Sequence, residues 1–197
     1  MKKWITIGVI ILVVILIYSS IKGSYNKMVQ KDEAVKSQWG TVESAYQRRM
    51  DLIPNLVNTV KGYADFEKTT LTQVIEARAK ATQVSINPDK LDAQSMKQFQ
   101  AAQGELSGAL SRLLVTVEQY PNLKANENFL DLQKQLEGTE NRIAVERRKF
   151  NEIVQDYNSF IRSFPKNIWA NIFGFEKKAY FEADEGAEKA PKVNFGN

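Results

Sequence analysis

Neither cysteine nor histidine occurs anywhere in the 197-residue chain. The first absence excludes disulfides, thiolate metal sites and cysteine nucleophiles. The second removes the commonest general base, the commonest transition-metal ligand and every Ser-His or Cys-His arrangement. No Walker loop, G-x-G-x-x-G fingerprint or G-x-S-x-G elbow is present either. Di-metal carboxylate bundles need Glu-x-x-His pairs on facing helices, and the histidines for them are missing. The chain is therefore expected to be no enzyme: no cofactor is expected, and no catalytic or metal-binding residue is assigned. Charge of one sign is scarce as well. The formal net charge is +4, with 27 basic and 23 acidic residues interleaved along the length. That pattern fits solvated helix faces and speaks against nucleic-acid binding.

Only five prolines and ten glycines punctuate the sequence, so long stretches are free to be helix. The longest apolar run extends from Trp4 to Ile21, broken only by Thr6, Gly8, Tyr18, Ser19 and Ser20. Eighteen helical residues span about 27 Å, close to a bilayer core. Tyr18-Ser19-Ser20-Ile21-Lys22 lacks a small-x-small cleavage pattern, so residues 1–22 read as an uncleaved single-pass anchor whose membrane partner is engaged by residues 4–21. Lys2 and Lys3 on one side are balanced by Lys22, Lys27, Lys31 and Lys36 on the other, so the positive-inside rule assigns the soluble part to neither side.

Beyond the anchor, four three-and-four patterns follow one another. The first runs through Tyr25, Met28, Val35, Trp39, Val42, Tyr46 and Ile53, with Asp32 and Arg49 on the same stripe, and continues from the membrane helix across Gly23 and Ser24. The second includes Leu56, Val57, Val60, Tyr63, Ala64, Leu71, Val74 and Ala81, and closes at Ser85-Ile86-Asn87-Pro88-Asp89. The third holds Met96, Phe99, Ala102, Leu106, Leu110, Leu113, Val117 and Tyr120; the fourth runs from Phe129 through Ile143, Phe150 and Tyr157 to Phe164. No period-two run of strand length occurs, which implies an all-α fold. Helices of about 28 to 38 residues on short connections pack as an up-and-down antiparallel four-helix bundle, here over residues 23–165, preceded by the transmembrane helix.

Pro-Asn-Leu occurs twice, at Pro54-Asn55-Leu56 and Pro121-Asn122-Leu123. Proline disfavours helical geometry in the residue before it and is tolerated in the first turn of a new helix. Both copies therefore read as turns, with Asp51 and Asn126 as N-caps; a kinked helix continuing through Pro54 is the alternative. Sixty-seven residues is about one excursion down the bundle and back, so both turns are expected at the pole far from the membrane. Arg48, Arg49, Asp51, Asn55, Asn122 and Lys124 would then form a distal surface for a partner, or serve only capping and turn formation.

Several polar residues fall at core spacing: Arg49, Glu67, Arg78, Glu140, Arg147, Asn151 and Asn158. Asn151 and Asn158 are seven apart and share a helix face, as do Glu67 and Arg78, eleven apart. One reading is a buried interhelical network that fixes register; the other is a polar cleft for a ligand or partner. After the fourth helix, residues 166–197 divide into an aromatic segment and a tail. Ile168-Trp169-Ala170-Asn171-Ile172-Phe173-Gly174-Phe175 either lies in the bilayer interface or caps the open end of the bundle. The tail carries the acidic 180–188 stretch, expected to be flexible, and ends in apolar residues expected to dock on the bundle or on a partner.

The ordered set Tyr25-Asn26, Trp39, Arg48-Arg49-Met50-Asp51-Leu52-Ile53-Pro54-Asn55-Leu56-Val57, Tyr120-Pro121-Asn122-Leu123-Lys124-Ala125, Glu140-Asn141-Arg142-Ile143, Arg148-Lys149-Phe150-Asn151, Tyr157-Asn158, Phe164-Pro165 and Pro191-Lys192-Val193-Asn194-Phe195 resembles the bacterial LemA family along nearly the whole chain. The resemblance implies a single-pass protein of the bacterial plasma or inner membrane with a helical-bundle soluble part, and no established enzymatic activity. The expected role is a membrane-tethered helical scaffold that binds another protein or itself. The alternatives are a membrane-remodelling or lipid-sensing oligomer and, third, a hydrolase using Glu67 or Glu140.

Overall fold

α1 runs unbroken from Lys2 to Lys61, sixty residues and about 90 Å of helix. In this computed structural model, which describes residues 2–63 and 67–182, Lys3 through Ser20 are all exposed. That stretch is long and apolar enough to cross a membrane. The same helix then becomes the spine of the soluble part, with Met28, Val35, Trp39 and Val42 almost fully buried. The boundary between residues 22 and 23 thus falls inside a continuous helix. Ala64, the tail's 183–188 and the closing 191–195 lie outside the described residues.

Five further helices follow: α2 (Lys68–Gln83), α3 (Ala93–Val117), the single turn α4 (Pro121–Lys124), α5 (Glu127–Arg162) and α6 (Lys166–Phe173). No strand occurs among the described residues. α1 and α5 pack along each other antiparallel, with Lys31 paired to Asp156 and Arg49 to Glu140. α2 and α3 form a second antiparallel pair, linked by Lys80–Glu105 and by Arg112 to Gln73. The two pairs face each other through side chains, which makes the expected all-α, up-and-down bundle.

Two of the four main helices are shorter than their periodicity suggested. α2 begins only at Lys68, because Leu56, Val57 and Val60 of the second pattern belong to α1; it stops at Gln83, and Asn87 then turns the chain, its carbonyl accepting from Lys90 N at 2.9 Å and its side chain from Asp89 N at 2.9 Å. Asp92 caps α3 by accepting from Ser95 N at 2.8 Å, and this bond holds its carboxyl below the usual range. Asn126 caps α5 as expected, accepting from Phe129 N at 3.0 Å.

The short hairpin α2–α3 covers only part of the long pair α1–α5. What covers the rest is a segment with no helical or strand pattern in its sequence. Gly174 takes the left-handed conformation (φ 75°) that ends α6, its N–H donating to Ala170 O. Residues 175–182 then run back up the bundle as an extended strap, and Phe181 inserts beside Trp39. The Trp39 ring stacks on Phe181 (5.9 Å) and meets Phe99 (5.3 Å) and Phe150 (5.6 Å) edge to face.

The turn expected at Met50 to Leu56 does not exist: Pro54 lies inside α1, and Asp51 is a mid-helix residue rather than an N-cap. A proline there removes the N–H that would bond the Met50 carbonyl. Arg78 of α2 supplies the missing donor, its Nε reaching Met50 O at 3.0 Å. Ile53, Leu56 and Val57 are 1%, 0% and 4% exposed, and that burial holds the backbone helical despite the pre-proline bias. The distal pole is built from Tyr63 instead. Its hydroxyl donates to Asn122 O at 3.3 Å and accepts from Asn126 Nδ2 at 3.1 Å, joining the end of α1 to the α3–α5 connection.

Candidate functional site

Arg49 is a fully charged side chain with 1% of its surface exposed. Its Nη1 donates to Glu140 Oε1 (2.7 Å) on α5 and to Ser107 Oγ (2.7 Å) on α3; its Nη2 donates to Gln103 Oε1 and O, also on α3. The guanidinium lies 5.2 Å from the Tyr46 ring centre. One cation on α1 therefore ties three helices together across the bundle. Around it, α3 and α5 stand apart and leave a seam. A cleft of about 610 Å³ is lined by Arg49, Gln103, Gly104, Ser107, Glu140 and Arg147, among others. A second, of about 470 Å³, shares Ser107 and Glu140 and continues the seam past Leu110, Leu114 and Leu136.

The polar residues expected to form one network are spread over four places, two of which, the seam and the strap, adjoin at Arg147. Arg49 and Glu140 meet at the seam. Arg78 caps Met50 O, as above. Glu67 is exposed at the N-cap position of α2 and accepts from Thr70 Oγ1 at 3.3 Å, so it shares neither a cleft nor a partner with Glu140. Arg147, Asn151 and Asn158 hold the strap. Asn151 Nδ2 donates to Phe181 O and its Oδ1 accepts from Phe181 N, both at 2.9 Å; Asn158 does the same to Lys178 O (2.9 Å) and N (3.0 Å). Each amide acts as a piece of neighbouring backbone, satisfying a buried peptide that has no strand to pair with. Arg147 adds a bond to Glu182 O at 3.0 Å and covers the Phe181 ring at 5.0 Å.

The surface residues expected at the distal pole are corrected in the same way. Because α1 runs on to Lys61, Arg48 and Asp51 lie about 20 and 15 Å short of its end. They line a different groove with Glu43, Gln47 and Arg142. Arg49 is interior, and Asn55 is exposed part-way along the helix; only Asn122 and Lys124 are at the pole, where Lys124 pairs with Glu118.

Residues that the sequence reading passed over include Gln103 and Glu146, 5% and 7% exposed. Each continues an apolar stripe, Gln103 between Phe99 and Leu106 and Glu146 between Ile143 and Phe150, so spacing alone could have found them. Gln38 Nε2 donates to Glu146 Oε2 at 2.9 Å and holds that carboxyl below the usual range. Lys178 is less legible. It sits in the strap, 9% exposed, with Nζ 3.1 Å from Asp32 Oδ1 on α1 and 3.1 Å from Asp89 O.

A family model described as the LemA family matches residues 38–195, which takes in the later part of α1, α2 to α6 and the strap. The chain belongs to the LemA family. It is similar to Protein LemA of Metamycoplasma hominis, with 25% identity over 184 residues, covering 93% of this chain and 80% of that protein. It is also similar to Magnetosome protein MamQ 2 of Paramagnetospirillum magneticum, with 27% identity over 189 residues, covering 87% of this chain and 70% of the relative. LemA family membership and the exposed apolar helix together fit a membrane-associated protein.

The Pro54–Arg78 pairing, inside the LemA-family region, makes a prediction. Arg78→Leu leaves the Met50 carbonyl without a donor and is expected to cost about 1–3 kcal/mol. In a Pro54→Ala background the backbone N–H restored at that position takes over the carbonyl, so most of the Arg78→Leu cost should disappear. Thermal unfolding of the four chains of this cycle, followed by circular dichroism, measures it; an unchanged cost in both backgrounds refutes the pairing.

Proposed function

We propose that the chain is a membrane-tethered helical module that binds another protein, or a further copy of itself, along the seam between α3 and α5, and that it catalyses no reaction. The observation that carries this reading is the seam itself. It is a place where two main helices of the bundle stand apart, and it mixes Leu110 and Leu114 with Ser107, Ser111, Glu137 and Glu140. Apolar anchors among polar groups suit a protein partner. The continuous α1 supports the tether, because a helix shared by membrane segment and bundle holds the seam at a fixed height above the bilayer. The non-catalytic reading rests on the composition, which has no histidine or cysteine, and on the engagement of Glu140 as the counter-ion of Arg49.

The test is site-specific photo-crosslinking in cells. A photoreactive residue in place of Ser111 or Glu137 is expected to give adducts of defined mass, whereas one in place of exposed Glu76 on α2 is not. Adducts at twice the mass of the chain identify self-association. A chain that crosslinks to nothing at either seam position, and is monomeric in mild detergent, defeats the proposal.

A further inference from the structure

α6 is two-faced. Ala170 is buried and Trp169 and Phe175 pack on the core, whereas Ile168, Ile172 and Phe173 are 45%, 63% and 44% exposed and Phe164, just before the helix, is 81% exposed. Its height in the molecule follows from α1 and α5. Lys31 pairs with Asp156; six residues further along these antiparallel helices, Arg162 at the end of α5 is level with Tyr25. Tyr25 stands four residues, about 6 Å, beyond Ile21 and the apolar stretch. Direct contact agrees with this placement, since the Tyr25 ring meets Phe173 at 4.9 Å and Phe175 at 5.9 Å, both edge to face.

The charge at this end is predominantly positive. Arg162 and Lys177 are exposed at the two ends of α6, Lys22 and Lys27 are exposed at the same level of α1, and Lys166 lies over the Phe160 ring at 4.3 Å; between residues 163 and 177 the only acidic residue is Glu176. An exposed apolar face flanked by more lysine and arginine than acid, beside a helix apolar enough to cross a membrane, suits the headgroup region of an anionic bilayer. We infer that Phe164 and the outer face of α6 seat in an anionic lipid surface, so that the bundle has a second membrane contact besides α1. A protein docking here would have no need of continuity with the apolar stretch, and a lipid surface requires it.

The lack of native cysteine makes the test direct, because one introduced cysteine carries the only label. The full chain with Ile172→Cys, bearing an environment-sensitive fluorophore, is reconstituted into phosphatidylcholine vesicles containing phosphatidylglycerol. The reference is Val115→Cys, 69% exposed at the far end of α3. The label at 172 is expected to be quenched several-fold more by lipids brominated in the upper acyl chain, and several-fold less by aqueous acrylamide, than the label at 115. Equal quenching at the two sites overturns the inference. So does shielding from acrylamide without quenching by the brominated lipid, which is the signature of a protein cover. In a second variant, Phe164→Asp and Ile172→Asp are combined with a label at Asn171→Cys. Loss of brominated-lipid quenching at an unchanged melting temperature supports the lipid contact, and retained quenching refutes it.

Discussion

Phe181→Ala is expected to lower the stability of the chain by about 3–5 kcal/mol, a large part of what a domain of this size possesses. Phe181 is 5% exposed, and three aromatic rings, Trp39, Phe99 and Phe150, converge on it from three different helices. Truncation removes the aromatic area and leaves a cavity that rigid rings on helix backbones cannot collapse to fill. It also strips the Arg147 guanidinium of its ring partner. Denaturant unfolding of the full chain in mild detergent measures the effect. Tyr180→Ala, one residue away but 41% exposed, should change stability by no more than about 0.5 kcal/mol. The strap should also become a protease target: trypsin cleavage after Lys177 and Lys178 is expected to be slow in the parent and fast in Phe181→Ala. If both alanine variants melt with the parent, the strap is no part of the core.

Arg49→Ala is the second large effect, expected at about 3–5 kcal/mol, because it leaves more than one buried acceptor unsatisfied at about 1–3 kcal/mol each. The change leaves Gln103 Oε1 and Ser107 Oγ without their donor in the middle of three helices, and it removes the guanidinium from the Tyr46 ring. The reciprocal change should cost less. The Glu140 side chain is 44% exposed, so in Glu140→Ala water can reach the cation, while Gln103 and Ser107 still accept from it; about 1–2 kcal/mol is expected. This asymmetry distinguishes a cation held by acceptors on three residues from a simple ion pair, in which either truncation has a similar cost. Chemical denaturation of both single variants and the double variant gives the coupling directly. Equal losses from Arg49→Ala and Glu140→Ala contradict the geometry at the seam.

Much of the fold was legible without coordinates. The three-and-four spacing marked the buried faces of all the main helices, and Asn126 announced the start of α5. The seam was legible only in part. Arg49 and Glu140 stood out as polar residues at core spacing, and Gln103 fits the same rule; Ser107 carries no such mark, because a serine at a helix interface looks the same as a serine facing solvent. Asn151 and Asn158 were visible as a pair on one face, but their partner was not. They bind the backbone of Phe181 and Lys178, and backbone leaves no side-chain signature in a sequence.

The residues by themselves determined that the chain is helical, that its first helix is apolar enough to cross a membrane, and that histidine and cysteine chemistry is outside its reach. These follow from composition and from a period of 3.6, which are local properties. Only the tertiary structure decided that Pro54 lies inside a sixty-residue helix. Whether a proline ends a helix depends on whether the freed carbonyl finds another donor, and that donor, Arg78, comes from 28 residues further along the chain. The strap followed the same logic. Periodicity tells which face of a helix is covered, and it cannot tell that an extended segment, rather than another helix, covers it.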